Sequence, residues 1–483
     1  MHLASLVDMV ESGFDDRVLL GSGDAAVTGR GVGSLVRRGA STLRGVEAVV
    51  YAGENHPLLP VALLASACAG VPFVPVNYRL EDAQLNGLIA RYPTALVLAD
   101  DRTVARITAG GKVVRFDDWL ATLPEDAPEA EVPSDDDSVA VVLFTSGTTS
   151  EPKAALLRHR HLMAYLLGSV EFGSAGEDEA MLVAVPPYHV AGVANMLSNL
   201  FAGRRLVYLR AFEPQVWLDT IRGERVTNAM VVPTMLSRIV DVLHGEEANV
   251  PSLRTLSYGG ARVSERVITE ALRAFPDTGF VNAYGLTETA STIAVLGPED
   301  HRAAVESNDP EISRRLSSAG QVLPTVEFEI RDEVIFVRGE QIAGEYATGS
   351  LLDADGWFCT NDRGWVDSGG YLFIDGRIDD TIIRGGENIA PAEIETVLLA
   401  HEAVADACVV GVPDDEWGQR IVAVVVLREG ETVAADELRE SVRAELRGSK
   451  TPEQIVFRSE LPHTETGKVL RRIVLQQLNE ENN

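Results

Sequence analysis

Residues 46–76 read VEAVVYAGENHPLLPVALLASACAGVPFVPV, and this stretch predicts the repeating unit of the fold. Val46 to Tyr51 is a short apolar run, as is typical of a buried strand, and Val71 to Val76 repeats the pattern. Between these runs, Val61 to Ala69 has the composition of a buried helix that ends at Gly70. The stretch therefore predicts a strand, a helix and a second strand of a β-α-β fold.

The same alternation continues along the chain. Further strands are predicted at Ala95 to Ala99, Val139 to Phe144, Met181 to Val185, Arg205 to Leu209, Asn228 to Val232 and Phe280 to Ala283, and helices at Glu81 to Arg91, His159 to Gly168, Met235 to Leu243 and Ser264 to Phe275. Such alternation predicts mainly parallel sheets that are covered by helices on both faces. The acidic stretch from Glu125 to Asp137 contains two prolines and is interpreted as a linker between two such sheets.

The pattern changes near Gly376. A Gly-rich loop follows, then a helical pattern at Pro391 to Leu399, strands near Ala407 and Ile421, and two amphipathic helices. The predicted fold is therefore α/β, with a large N-terminal domain at residues 1–376 and a smaller α+β C-terminal domain at residues 381–483.

Composition and charge limit the possible functions. The 72 acidic residues outnumber the 42 basic ones, so the formal net charge of −30 argues against binding of nucleic acid or an anionic membrane. The three cysteines, Cys68, Cys359 and Cys408, are too far apart for a disulfide framework or a metal site, which suits a reducing cytoplasm. Neither a signal peptide nor a membrane span is expected, because the uncharged stretch from Leu58 to Val76 contains three prolines.

A first candidate site follows the predicted strand that ends at Phe144. Residues 145–153 read TSGTTSEPK, a hydroxyl-rich loop that ends in a lysine and precedes a helical pattern. Backbone amides, hydroxyls and one ammonium at such a turn can hold a phosphate chain, although the spacing is not that of a Walker A loop. A polar surface turn explains the loop equally well.

Two further clusters have the residue types of a nucleotide site. Residues 282–289 read NAYGLTET at the end of a predicted strand, where a carboxylate could hold Mg²⁺ and a hydroxyl a phosphate oxygen. Near the predicted domain boundary, residues 360–364 read TNDRG, residues 376–380 read GRIDD and residues 384–388 read RGGEN, and an acid and an arginine between two domains could grip a ribose diol. The alternatives are a helix cap for the first cluster and a solvated charged linker for the second.

Lysine use singles out two positions. The chain contains only four lysines, Lys112, Lys153, Lys450 and Lys468, against 38 arginines. A retained lysine hints at a site that needs a compact ammonium on a flexible stem. Lys153 ends the first loop, and Lys468 ends the loop LPHTETGK at residues 461–468.

These loops, in this order and spacing, resemble the core motifs of the adenylate-forming superfamily of acyl-CoA synthetases, adenylation domains and luciferases. The resemblance covers nearly the whole chain. It implies an enzyme that activates a carboxylic acid with ATP and Mg²⁺ as acyl-AMP and then transfers the acyl group to coenzyme A. Catalysis of this kind rests mainly on positioning and electrostatic stabilisation.

The resemblance also implies residue roles. Thr287 should contact the α-phosphate, Glu288 should bind Mg²⁺, Lys468 should be the catalytic lysine, and His189 should lie beside the acyl pocket. The remaining ATP contacts are expected at Thr145, Ser146, Gly147, Thr148, Thr149, Lys153, Gly259, Gly260, Ala261, Tyr284, Asp362 and Arg377. The acyl pocket is expected at His189, Val190, Ala191, Ala283, Gly285, Ala290 and Ser291, the coenzyme A tunnel at Gly385, Gly386 and Trp417, and a hinge at residues 377–380 with Asp379 as the pivot.

The sequence departs from the family pattern at a few positions. Ser150 and Ala154 replace usual glycines of the phosphate loop, Asn361 replaces the usual glycine before Asp362, and Ser449 replaces a usual aromatic residue. The residues of the expected pocket are mostly small and uncharged, and a neutral pocket disfavours a second carboxylate but permits aryl, branched or medium-chain acids. The acceptor stays open between coenzyme A, a carrier-protein thiol and another nucleophile, and so does the oligomeric state. A catalytically silent nucleotide-binding protein is disfavoured because Glu288, Asp362, Arg377 and Lys468 are all present.

Overall fold

The strand, helix and strand predicted within residues 46–76 are all present. The computed structural model of the protein places them at Val49–Ala52, Leu59–Ala69 and Phe73–Pro75, with the two strands paired in parallel. Gly70 ends the helix at a φ of 70°, a left-handed conformation that glycine adopts without steric cost. The structure describes residues 1–126, 133–145, 152–414, 417–446, 448–464 and 467–481.

The first large sheet has eight strands. In spatial order they are Gly349–Ser350, Glu345–Tyr346, Lys153–Arg158, Val139–Thr145, Phe73–Pro75, Val49–Ala52, Leu96–Ala99 and Lys112–Arg115. The last five of these are parallel to one another, whereas the first three pair antiparallel.

The second large sheet has nine strands. In spatial order they are Gln321–Val322, Ser291–Leu296, Gly279–Leu286, Thr255–Gly259, Asn228–Val231, Ala180–Val183, Arg205–Tyr208, Val18–Leu20 and Val27–Thr28. The six strands from Gly279–Leu286 to Val18–Leu20 are parallel, and both edges are antiparallel.

Helices cover both faces of both large sheets. Those of the N-terminal domain are Ser5–Gly13, Gly29–Ser41, Leu59–Ala69, Asp82–Ile89, Phe116–Ala121, His159–Ser169, Val190–Ala202, Pro214–Glu224, Pro233–Leu243, Glu265–Ala274, Pro298–Glu306 and Pro310–Arg314. Leu59–Ala69 and Val190–Ala202 belong to the core between the sheets, where they pack with inward residues of both. Because Leu59–Ala69 is apolar on all sides, it can only be stable when buried in this way.

A third, antiparallel sheet lies between the large sheets and the C-terminal domain in sequence. Its strands are Glu327–Arg331, Val334–Arg338, Phe358–Val366 and Leu372–Arg377. The C-terminal domain then contains a hairpin, a three-stranded sheet and three helices: Ile382–Arg384, Glu387–Ile389, Pro391–Ala400, Val404–Asp414, Gly418–Leu427, Ala435–Glu445, Gln454–Arg458 and Arg471–Glu481. The protein is therefore a mixed α/β protein with a large, mainly parallel N-terminal part and a smaller α+β C-terminal domain.

One local prediction is wrong. The stretch from Glu125 to Asp137 does not join two sheets, because Lys112–Arg115 before it and Val139–Thr145 after it belong to the same sheet. The helix predicted after the Lys153 loop is present at His159–Ser169, and strand Lys153–Arg158, which pairs with Val139–Thr145, precedes it. Within the described residues, no helix combines the length and apolar character needed to cross a membrane.

Candidate active site

The predicted phosphate loop connects two paired strand ends. Thr145 and Lys153 lie opposite each other in the antiparallel pair, and the Thr145 hydroxyl donates to the Lys153 carbonyl at 3.5 Å. The paired residues Thr145 and Lys153 therefore lie at the carboxyl end of strand Val139–Thr145, where ligands bind in sheets of this kind. The expected contacts Ser146, Gly147, Thr148 and Thr149, together with Ser150, lie outside the described residues.

Glu288 is held in a nearly buried turn. Thr287–Thr289 forms a 3₁₀ turn after strand Gly279–Leu286, and Ala290 and Ser291 follow it with φ of 53° and 116°. Such angles are unusual for residues with a side chain, so the surrounding structure must enforce this turn. It leaves Glu288 with 9% of its surface exposed and Thr287 beside it partly exposed.

Tyr346 joins Glu288 to Lys153, and the sequence analysis missed it. The Tyr346 hydroxyl donates to Oε1 of Glu288, and the Lys153 Nζ lies 5.6 Å from the centre of the Tyr346 ring. Burial and the neighbouring Glu288 charge raise the pKa of Tyr346 to about 12, so its hydroxyl stays a donor at neutral pH. Strand Glu345–Tyr346 pairs with Ala155, which explains how a residue so distant in sequence reaches the phosphate loop.

The surroundings of Glu288 fit a magnesium ion better than a transition metal. Within the described ranges, no group of three or more histidine, cysteine or acidic side chains is arranged to hold a metal. Mg²⁺ takes one or two carboxylates and fills its other positions with water and phosphate oxygens. A single carboxylate beside a phosphate loop is therefore a suitable donor set.

Asp362 and Arg377 form a pair with Tyr284. The two residues lie opposite each other in strands Phe358–Val366 and Leu372–Arg377, with Arg377 Nη1 3.8 Å from Asp362 Oδ1. The Tyr284 hydroxyl donates to Asp362 Oδ2 at 2.6 Å. Burial raises the pKa of Asp362, and Arg377 and the Tyr284 hydroxyl oppose this rise. The carboxylate thus keeps its acceptor oxygens fixed at the edge of the cleft.

The substitution of asparagine at position 361 keeps the local backbone. Asn361 has a φ of 58°, in the left-handed region that glycine favours and that asparagine tolerates better than most residues. Ala154, at the other departure, is a buried strand residue whose carbonyl accepts from Ala347. Both changes are therefore compatible with the geometry that a glycine would give.

The proposed adenine-binding segment contains two glycines, and a different structural feature explains each of them. A Cβ on Gly259 would lie 2.3 Å from the Ala283 carbonyl oxygen, so the two neighbouring strands require a glycine there. Gly260 has a φ of 87° and faces open space, and Ala261 is partly exposed. Together with Tyr284, these residues leave an open ledge at the ends of adjacent parallel strands.

Lys468 reaches the same cleft from the C-terminal domain. A Cβ on Gly467 would lie 2.5 Å from Thr234 of the N-terminal domain, so the lysine loop is in close contact with that domain. The pKa of the Lys468 ammonium is lowered, because surrounding protein atoms displace water from it and because the positive charge of Arg377 lies nearby. The negative charges of Asp380 and Asp362 oppose this shift. The structure therefore brings Lys468, Arg377 and Asp362 together.

His189 lies at the start of helix Val190–Ala202, beside Tyr188. Their ring centres are 4.6 Å apart, and Nε2 of His189 has no hydrogen-bond partner among the described residues. Burial lowers the pKa of His189 to about 4, so the ring is neutral at pH 7. A neutral ring suits an apolar acyl group better than an imidazolium would.

The other expected pocket residues do not share one environment. Val190, Ala191 and Ala283 are partly exposed and suit a pocket wall. Position 285 requires a glycine for steric reasons, because a Cβ there would lie 1.9 Å from the Ser291 carbonyl oxygen. Ala290 is fully buried in the core, and Ser291 is nearly so. Of the expected pocket residues other than His189, Val190, Ala191, Ala283 and Gly285 are therefore partly exposed, and Ala290 and Ser291 are buried.

The expected coenzyme A residues form a separate set of contacts, and the expected hinge begins at Arg377 of the cleft. Gly385 donates to the Trp417 carbonyl at 2.8 Å, Arg384 stacks 4.6 Å from the Trp417 ring centre, and 44% of Trp417 is exposed. Asp379 is exposed in the 3₁₀ turn Ile378–Asp380, directly after Arg377. Ser449 accepts from Arg384 through its carbonyl at 3.5 Å.

Comparison with known families identifies the family of the chain. The sequence model for the AMP-binding enzyme matches residues 10–347, and that for the AMP-binding enzyme C-terminal domain matches residues 393–468. Since these matches cover most of the chain, the protein belongs to the AMP-binding enzymes.

Named relatives and a solved structure extend the likeness. The chain is 34% identical over 480 residues to the indoleacetate–CoA ligase of Aromatoleum aromaticum, covering 92% of this chain and 91% of the relative. It is 34% identical to the feruloyl-CoA synthase of an Amycolatopsis species, covering 89% of each chain. The O-succinylbenzoate coenzyme A synthetase of Bacillus subtilis in complex with ATP and magnesium is 26% identical, with a TM-score of 0.82 and coverage of 98% and 99%.

Proposed function

We propose that this protein is an AMP-forming acyl-CoA ligase that activates a carboxylic acid with ATP and transfers the acyl group to coenzyme A. One observation carries the proposal. Glu288, the Asp362–Arg377 pair and Lys468 lie close enough to interact electrostatically, although they come from three separate parts of the chain. The relatives named as CoA ligases support the second half-reaction.

In the first half-reaction, a carboxylate oxygen of the acid attacks the α-phosphorus of ATP, and the bond to pyrophosphate breaks. Asp362 accepts from the ribose hydroxyls, and the ledge of Gly259, Gly260 and Ala261 beside Tyr284 receives the adenine. The backbone and hydroxyls of the phosphate loop, with Lys153, orient the β- and γ-phosphates. These contacts hold the reactants in the attack geometry, which is a large part of the rate gain in such reactions.

Charge stabilisation comes from both domains. Lys468 places an ammonium beside the α-phosphate as negative charge develops, and Thr287 donates a hydroxyl to the same group. Glu288 would hold Mg²⁺, which neutralises phosphate charge when it is bound. Tyr346 keeps the Glu288 carboxylate in place by donating to Oε1.

In the second half-reaction, the thiol of coenzyme A attacks the acyl carbon, its proton is released, and AMP leaves. Lys468 occupies the cleft in this structure, whereas Trp417 of the Gly385–Gly386 region is exposed. We therefore assign the pivot to Asp379, between the two large parts of the chain, so that a rotation could exchange Lys468 for the Gly385–Gly386 loop. We also propose a cytoplasmic location, and the three free cysteines support it.

Acid-dependent exchange of pyrophosphate into ATP tests the first half-reaction. A panel of aryl, branched and medium-chain acids should include at least one that supports exchange, and Glu288→Gln should abolish it because the magnesium ligand loses its charge. Absence of exchange with every acid would contradict the proposal. The acceptor is then tested with the active acid, because AMP release that requires free coenzyme A identifies a CoA ligase. Release only with a phosphopantetheinylated carrier protein identifies a stand-alone adenylating enzyme.

A further inference from the structure

The second large sheet has a row of residues that are partly exposed although they lie in central strands. Met230, Ser257 and Val281 are register neighbours on three adjacent parallel strands, and all three keep partial solvent exposure. The residues that precede them point to the opposite face and are fully buried, namely Ala229, Leu256 and Phe280. Parallel strands covered by helices are normally buried on both faces. Exposure on one face therefore marks open space next to helix Val190–Ala202.

This space continues from the proposed acyl site. Ala283 lies two residues beyond Val281 on the same face, and the helix that covers the space begins after His189. From Ala283, Met230 is two residues back along the strand and two strands away. With a strand rise of about 3.4 Å per residue and a strand spacing of about 4.8 Å, the two positions are about 12 Å apart. The row thus leads from the reacting end of the pocket to a distal end at Met230.

Asn195 lies at that distal end with a fixed amide orientation. Arg204 Nη1 donates to Asn199 Oδ1 at 2.6 Å, and because arginine only donates, the Asn199 oxygen must face it. The Asn199 Nδ2 then donates to the Asn195 carbonyl at 2.7 Å and to its Oδ1 at 3.3 Å. An ion pair of 2.8 Å between Arg204 and Glu179 fixes the other end of this series of hydrogen bonds. The Asn195 Oδ1 is therefore an acceptor, and its NH₂ group faces the other way.

The NH₂ group of Asn195 is left with a poor partner. Its Nδ2 donates to the Met230 sulfur at 3.4 Å, and a thioether is a weak acceptor. Only 8% of Asn195 is exposed, and a buried donor without a good acceptor is costly. The donor sits at the wall of the open row, where a bound molecule can supply a better acceptor.

We infer that Asn195 determines which acids are activated, by donating a hydrogen bond to an acceptor oxygen at the distal end of the acid. The inference rests on the proposed function and narrows its substrate class to neutral acids whose far end carries a hydroxyl, ether or keto oxygen. Met230, Ser257, Val281 and Ala283 are uncharged, so a second carboxylate would be buried without a cation. The span fits an aromatic ring with a short side arm.

Matched acid pairs test this inference. 4-Methoxycinnamic and 4-ethylcinnamic acid have nearly the same shape and differ in the acceptor oxygen, as do 4-methoxyphenylacetic and 4-ethylphenylacetic acid. In pyrophosphate exchange, the wild-type kcat/KM should be at least about tenfold higher for the methoxy acid in one pair, the factor of one modest hydrogen bond. Asn195→Leu should bring the ratio close to one by losing activity on the methoxy acid only. Met230→Leu removes the weak thioether acceptor but keeps the Asn195 amide donor, so this variant should keep the preference.

The outcomes separate the two proposals. A wild-type ratio near one in both pairs overturns the inference without any variant, so the test does not depend on how Asn195→Leu folds. An unchanged preference in an active, folded Asn195→Leu protein also overturns it, while exchange itself upholds acid activation. If no acid of the panel supports exchange, both the proposed function and the inference are refuted.

Discussion

Replacement of Tyr346 by phenylalanine tests whether the contact between Tyr346 and Glu288 serves catalysis. The change removes the hydroxyl that donates to Glu288 but keeps the ring on which Lys153 packs. Glu288 is 9% exposed, so solvent cannot fully replace the lost donor. A hydrogen bond to a charged group contributes about 1.5–3 kcal/mol, and each 1.4 kcal/mol corresponds to about a factor of ten. We expect kcat/KM for ATP to fall about 10- to 150-fold at limiting Mg²⁺.

The assay is acid-dependent pyrophosphate exchange measured over a range of free Mg²⁺ concentrations. Because the carboxylate loses its positioning donor, Tyr346→Phe should require more Mg²⁺ for half-maximal exchange. Tyr371→Phe is a matched control, since Tyr371 donates to Asp300 in the same way but outside the cleft. Its Mg²⁺ dependence should equal that of the wild type. If the Tyr346→Phe variant exchanged pyrophosphate at the wild-type rate at limiting Mg²⁺, the assigned positioning role would be refuted.

Three other changes test the cleft, the pivot and the buried histidines. Lys468→Ala should lower acyl-AMP formation by about 10²–10³-fold, as expected for one electrostatic donor, yet spare thioester formation from presynthesised acyl-AMP; equal loss in both half-reactions would contradict the role. Asp379→Pro should still form acyl-AMP while the coenzyme A step slows by orders of magnitude, because proline fixes φ, and Asp379→Ala should behave like the wild type. Burial lowers the pKa of His159 to about 3 and that of His161 to about 4 in the folded protein. Below pH 6.5 the unfolded chain therefore binds more protons than the folded protein, and the free energy of unfolding should fall as the pH drops toward 4. The midpoint of thermal unfolding should show this fall, and His159→Leu should weaken it; an unchanged pH dependence would exclude His159 as its source.

Much of the N-terminal architecture could be predicted because its signals are local. Short apolar runs between glycines and prolines mark the central strands, and Gly70 marks the end of a helix through its own backbone preference. The third sheet was not predicted, since Glu327–Arg331 alternates charged and apolar residues and is largely exposed on both faces. A strand with so little burial owes its existence to its partner Val334–Arg338, and pairing partners cannot be read from a single run.

Candidate site residues could be predicted where they belong to a sequence motif. They could not be predicted where only the tertiary structure brings them to the site. Glu288, Asp362, Arg377 and Lys468 belong to recognisable sequence motifs, but Tyr346 lies in a two-residue strand without any pattern of its own. Its pairing with Ala155 brings it to Glu288, and no sequence periodicity encodes that register. Gly285 has a steric reason to be glycine in the strand pair, and its expected role in the pocket stays a prediction.

The contacts of Arg471 narrow the position of the pivot. Arg471 begins the helix that follows the Lys468 loop, and it donates both to Asp380 at 3.3 Å and to Glu395 of helix Pro391–Ala400. Arg471 therefore connects Asp380 to Glu395 in the body of the C-terminal domain. Arg377, in contrast, is paired with Asp362 of the N-terminal part. If both sets of contacts survive a rotation, the backbone that changes must lie between Arg377 and Asp380. Only Ile378 and Asp379 lie there, and a substitution that stiffens Asp379 should therefore separate the two half-reactions.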